Sequence, residues 1–155
     1  MSFAERLAAI NAKLLEILQA DAGLAEVKTF ILGERTRAGN LEFPAVWIFP
    51  EESPITNDTL SIGEDWRLRY TLVGLTEETE DAAAGKAAAE ALALKAAAIL
   101  IQTDADPNLN NRTLHGLCSD IRRVQWSPGQ TRGVNRQNLY GAGVTFDVIL
   151  TTHEA

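Results

Sequence analysis

Asp65-Trp66-Arg67-Leu68-Arg69-Tyr70-Thr71-Leu72-Val73-Gly74-Leu75 leads through Thr76-Glu77-Glu78-Thr79-Glu80-Asp81 into an alanine-rich run that ends near Gln102. Trp66, Leu68, Tyr70 and Leu72 fall on one face of an extended segment and Arg67, Arg69 and Thr71 on the other, the alternation of a half-buried strand. The threonines that follow can cap free backbone N–H groups, and the acids suit the positive end of a helix dipole, so a helix is predicted from there. Within it Ala84, Ala87, Ala91, Leu94, Ala98 and Ile101 recur at spacings of three and four and draw one apolar stripe. The opposite side is thinly polar: Lys86 and Glu90 lie there among Ala93, Ala97 and Leu100. A helix apolar nearly all round is expected to be covered on more than one side, by the first helix or by another subunit.

Upstream, Ser2-x-x-Glu5 has the form of a capping box, and Phe3, Leu7, Ile10, Leu14, Ile17 and Leu18 make a clean amphipathic face that ends by Asp21. Glu26 to Leu32 reads as a first strand. After the polar connection Gly33 to Asn40, the segment Phe43 to Pro50 is apolar on both faces and bracketed by prolines, which predicts a short strand inside the sheet. Glu51 to Glu64 has neither period and reads as a long connection. Downstream, Leu117 to Trp126 is strand-like with a bulge at Arg122-Arg123, and Ser127 to Gln137 is a second long connection. The last strand puts Tyr140, Ala142, Val144, Phe146, Val148 and Leu150 on one face, with Gly141 and Gly143 on the other, where a close approach is possible.

The 155 residues predict a single domain, 1–155, of α+β class: a mainly antiparallel sheet in the order α-β-β-β-α-β-β, with helices packed on it. Such a chain can bury roughly 70% of its unfolded surface without metal or disulfide. The one cysteine, Cys118, cannot form an internal disulfide and reads as a small buried residue. The N-terminus lacks the apolar region of a signal peptide and no stretch reaches the length of a membrane span, so synthesis in the cytoplasm is expected. A net charge of -7 opposes general nucleic-acid binding. That charge is uneven, with nine acids against two bases from Glu51 to Asp81 and one acid against four arginines from Asp120 to Arg136. Copies of such a molecule could stack acid against base.

Catalytic chemistry finds little footing. His115 and His153 have no partner at metal-ligand spacing, and no Gly-x-Ser-x-Gly, phosphate loop or dinucleotide fingerprint occurs. Asp104 to Asn110 places oxygens at alternate positions, yet Leu109 stands where a calcium loop needs glycine and His115 where it needs glutamate, so a turn is the better reading. Lys95 projects toward the apolar side of its helix; either it is an amine of depressed pKa or its stem lies on apolar surface while the ammonium reaches water or a carboxylate. No catalytic, cofactor or metal residue is assigned.

The proline-bracketed strand Phe43-Pro44-Ala45-Val46-Trp47-Ile48, the strand Tyr70-Thr71-Leu72-Val73-Gly74-Leu75 entering an acid-capped helix, and the closing strand Gly143-Val144-Thr145-Phe146-Asp147-Val148 together resemble the tail terminator proteins of long-tailed phages and related viruses, also called tail completion or minor tail protein U-like proteins. The resemblance covers nearly the whole chain and rests on pattern and order of elements. It implies a non-enzymatic virion protein, assembled into a six-fold ring that caps the head-proximal end of the tail tube, ends its polymerisation and offers the surface for head attachment. The implied partners are further copies, the tube protein and a head-completion protein, with DNA passing through unbound and no membrane involved. Its place would be the host cytoplasm during assembly and the tail or neck of the virion afterwards. Arg67, Arg69, Arg132 and Arg136 are the candidates for subunit or tube contacts. Two alternatives stand beside this reading: a head-completion or stopper protein of the neck, and an enzyme or small-ligand module with a pocket beneath Glu51 to Glu64 and centred on Lys95.

Overall fold

The computed structural model describes residues 2–33, 42–57, 65–77, 81–131 and 139–151. Helix α1 (Phe3–Ala20) leads to β1 (Thr29–Leu32), β2 (Ala45–Asn57) and β3 (Asp65–Glu77), then to α2 (Ala82–Leu100), β4 (Asp120–Thr131) and β5 (Leu139–Thr151). Single helical turns at Ala22–Leu24, Pro107–Leu109 and Asn111–Thr113 join the larger elements. The helix and strand order is the one the sequence predicts.

The sheet, however, is mixed and not mainly antiparallel. Its strands lie in the order β1-β2-β3-β5-β4, and β1 runs parallel to β2, with Thr29 opposite Ala45 and Leu32 opposite Ile48. The other three pairings are antiparallel. Neighbouring strands can run parallel only through a crossover of a dozen or more residues, and the distance in sequence from Leu32 to Ala45 is of that order. A tight hairpin would have reversed the direction.

Ser2 and Glu5 start α1 as a reciprocal capping box: Glu5 N–H donates to Ser2 Oγ at 3.1 Å, and Ser2 N–H donates to Glu5 Oε2 at 2.6 Å. Hydrogen bonding to the Glu5 carboxyl, from the Ser2 backbone N–H first and then from the Ser2 side chain, holds it below its ordinary pKa. Ile10, Leu14, Ile17 and Leu18 of α1 go into the core. Full burial of such a side chain contributes about 1.5–3 kcal/mol. The core surface of the sheet consists of Val46 and Ile48, of Leu68, Tyr70 and Leu72, of Ile121, and of the whole predicted face of β5 from Tyr140 to Leu150. Tyr70 stacks on Phe146 with ring centroids 5.6 Å apart, and its hydroxyl, whose pKa burial pushes up, donates to Asn11 Oδ1 of α1.

Helix α2 is capped by Asp81, whose Oδ1 accepts from Ala83 N–H and Ala84 N–H, and not by the upstream threonine at Thr76. Thr76 is buried at the end of β3, where its hydroxyl donates to the Gly85 carbonyl at 2.8 Å. The helix rests on the sheet through Gly85, Ala89, Leu92, Ala93, Ala96, Ala97, Ile99 and Leu100. This is the thinly polar side; the predicted stripe Ala84, Ala87, Ala91, Leu94, Ala98 and Ile101 is exposed along its whole length. What orients the helix is Gly74: a Cβ there would stand 2.8 Å from the Ala89 carbonyl oxygen and 2.9 Å from Ala93 N, so helix backbone lies directly on strand backbone. Alanine on all sides left hydrophobicity without a direction.

Two predicted connections are partly strand. β2 continues past Pro50 to Asn57, with its register against β3 shifted between Pro50 and Ile55. Because β1 covers only Ala45 to Ile48, β2 from Phe49 onward has no outer neighbour among the described residues, the edge setting in which proline is tolerated. β4 likewise reaches Thr131. The bulge expected at Arg122-Arg123 is present, as a register shift between Arg122 and Gln125 with Arg123 at φ +55°.

Candidate assembly surfaces

The face of the sheet turned away from the helices is set by strand register. Across it, Arg69 of β3, Asp147 of β5 and Arg122 of β4 stand in one row; Arg67, Ile149 and Asp120 stand in the next. Asp147 is fully buried although it belongs to the polar side of β5. Arg69 Nε donates to its Oδ1 at 3.0 Å, and Arg67 Nη1 lies 3.8 Å from Oδ2, an oxygen without a hydrogen bond. A buried carboxylate needs such partners, since an isolated one would cost several kcal/mol in lost hydration. The Asp147 hydrogen bond and charge, with Glu51 adding to them, also raise the Arg69 pKa further.

A second cluster lies beside the first. Asp120 accepts from Arg112 Nε at 2.6 Å on Oδ1 and from Arg122 Nε at 2.8 Å on Oδ2. Burial alone would raise its pKa, but the hydrogen bonds from Arg122 and Arg112 outweigh that and hold it below the ordinary carboxylate value. Toward β2 the face becomes more apolar: Trp47 and Phe49 lie with ring centroids 4.4 Å apart, Trp47 Nε1 donates to the Gly33 carbonyl, and Thr71 donates to Glu51. The result is a surface of interlocked charges with an aromatic border. Its described arginines and carboxylates pair with each other.

Of the four predicted contact residues, Arg67 and Arg69 are brought together at Asp147, and 39% of the Arg69 side chain is still exposed. Arg132 and Arg136 lie outside the described residues, as does His153. Lys95 is half exposed, with its ammonium 3.6 Å from Glu26. It therefore stands at the surface beside a carboxylate and not in an apolar pocket. Asp104 and Asp106 each accept a backbone N–H two residues on, as turn residues do. His115 Nε2 is 3.0 Å from Asn111 Oδ1. Cys118 is partly buried, its Sγ directed at the Arg112 and Asp120 carbonyls; burial, then the Asp120 charge, pushes its thiol up to about 12.

Sequence reasoning missed Asp147 as the organiser of this face and missed the outward direction of the α2 stripe. The first had a signal: one carboxylate, Asp147, interrupts a strand otherwise free of charge. Its partners depend on the β3–β5 register, which alternation alone does not specify. Leu94 and Ile101 on the stripe are 51% and 36% exposed, and Val124 and Trp126 on β4 are 42% and 41% exposed.

No helix among the described residues is long and apolar enough to cross a membrane. No protein-family model matches the sequence, and no curated protein does. Among solved structures the chain is similar to one described as "Virion of native gene transfer agent (GTA) particle", with a TM-score of 0.56 and 16% identity over 97% of this chain and 99% of that one. The likeness extends from end to end and is one of fold.

Proposed function

We propose that this chain is a structural virion protein of the tail-terminator type: copies form a ring, six in number, that caps the head-proximal end of a tail tube, stops its growth and presents the surface to which the head attaches. The observation that carries the reading is the fold shared over nearly the full length with a chain of the gene transfer agent virion. The order of elements and the closing strands on which the sequence resembles tail terminators point the same way. The protein acts by binding and not by catalysis, in the host cytoplasm and then in the virion, and DNA passes through the ring without specific contact. On this reading the sheet face organised by Arg67, Arg69 and Asp147 meets a neighbouring subunit or the tube, and Arg132 and Arg136 are further candidates for such contacts.

The test is to add the purified protein to polymerising tube protein of its own virus and to measure tube length and end structure by negative-stain microscopy, with native mass spectrometry over a concentration series. Shorter tubes carrying a ring at one end are expected. Tubes of unchanged length with bare ends would overturn the reading; capture by the ring on the head side, with no effect on tubes, would make the protein a neck stopper instead. Arg132→Glu with Arg136→Glu should leave the urea melt unchanged and weaken ring or tube binding.

A further inference from the structure

The outward side of α2 is the largest departure from an ordinary solvated helix in this fold. Ala84, Ala87, Ala91, Leu94, Ala98 and Ile101 are all exposed and lie on the side opposite the sheet. Over the 18 residues from Ala84 to Ile101 they form a stripe ~26 Å long without a charged group. Acids stand at both ends: Glu77 and Asp81 before the helix, Asp104 and Asp106 after it. Lys95 on its flank is already opposite Glu26. An occupant of this surface must therefore bring apolar side chains in the middle and positive charge around them.

A second α2 does not qualify. Packed antiparallel it would set the acids before one helix against those after the other, and packed parallel it would set like ends together. The β4 edge does qualify. Val124 and Trp126 are large apolar side chains more than two-fifths exposed, and they follow the exposed Arg123 on a strand that has no neighbour on its outer side among the described residues. Its bulge and Pro128 oppose addition of another strand, so the contact is one of side chains and not of an extended ladder.

We infer that the α2 stripe of one copy receives the Val124–Trp126 edge of the next, a head-to-tail contact between two different patches. This rests on the proposed ring and names the surfaces that join it. Such a heterologous contact generates a ring when its rotation closes. A stable interface typically takes roughly 800 Å² per partner, with an apolar centre and a polar border; here the stripe forms the centre and the charges the border.

Two experiments test this. In the first, Leu94→Cys and Val124→Cys proteins, each also Cys118→Ser, are mixed and treated with a short bis-maleimide. A cross-linked product containing one of each is expected; cross-linking of Leu94→Cys protein with itself in place of the mixed product would overturn the proposal. In the second, Leu94→Arg, at a half-exposed position where the fold should tolerate it, is expected to raise the concentration for half-assembly at least tenfold with an unchanged urea midpoint. Rings that form with wild-type concentration dependence in Leu94→Arg and Trp126→Ser would refute the named surfaces while leaving the ring intact. Absence of rings in the wild type, free and on tubes, would instead refute the proposed function and this contact with it.

Discussion

Replacing Gly74 by alanine should be among the costliest single methyl additions in this protein. The new Cβ would lie 2.8 Å from the Ala89 carbonyl oxygen, 2.9 Å from Ala93 N and 3.2 Å from Leu92 Cβ. The first two are backbone atoms of α2, so no rotamer change relieves the clash and the helix must lift by roughly half an ångström to restore ordinary contact. Overpacking of this kind costs about 1–3 kcal/mol, and rigid backbone on the far side puts Gly74 near the top of that range. Restricting the unfolded chain returns about 0.5 kcal/mol. A net loss of about 2.5 kcal/mol corresponds to a fall in Tm of about 5–10 °C for a domain of this size. Urea unfolding followed by circular dichroism should show a lower midpoint with an unchanged m-value. Gly141→Ala is the control: its nearest neighbour is the end of a flexible side chain, Leu75 Cδ2, at 3.3 Å, and its effect should stay within about 0.5 kcal/mol. A Gly74→Ala protein as stable as the wild type, or a Gly141→Ala protein equally damaged, would refute the claim that backbone contact seats α2.

The remaining predictions concern the charge clusters and the thiol. Asp147→Asn removes the carboxylate from between Arg67 and Arg69 and should cost about 2–3 kcal/mol in urea unfolding, less than a fully sealed pair because Arg69 reaches solvent; a loss under about 0.5 kcal/mol would mean that the clamp contributes nothing to stability. Asp120 is more acidic in the folded protein, so its contribution is complete above the unfolded carboxylate pKa of ~3.9 and is lost as pH falls through the lower folded value. The stability gap between wild type and Asp120→Asn should therefore be level from about pH 5 to 8 and close below about pH 4, and a gap that widens on acidification would contradict the assignment. With its thiol pKa pushed up to about 12, Cys118 should react with iodoacetamide at pH 8 at least ~100-fold more slowly in the native protein than in urea. Comparable rates would mean that the site is open.

How far the fold could be read in advance depended on whether a residue's neighbours were local. Tyr140 to Leu150 revealed their buried face because alternation needs only the strand itself, and Ser2 and Glu5 revealed a helix start because a capping box closes within four residues. The direction of β1 depended on a crossover, and the extension of β2 depended on where β1 stops; neither is a property of the strand concerned. The candidate surfaces divide in the same way. Arg67 and Arg69 could be placed on the side away from the core, but their meeting with Asp147 requires the β3–β5 register. For α2 the spacing identified a continuous apolar stripe, while Gly74 on another element decides that the stripe points outward. The same alanines that left the helix without a directional signal also leave an uncharged outer surface once glycine has seated its other side. Burial of α2 against its own sheet therefore accounts for only one side of its composition; the apolar spacing on the other side, legible in the sequence, is left exposed among the described residues.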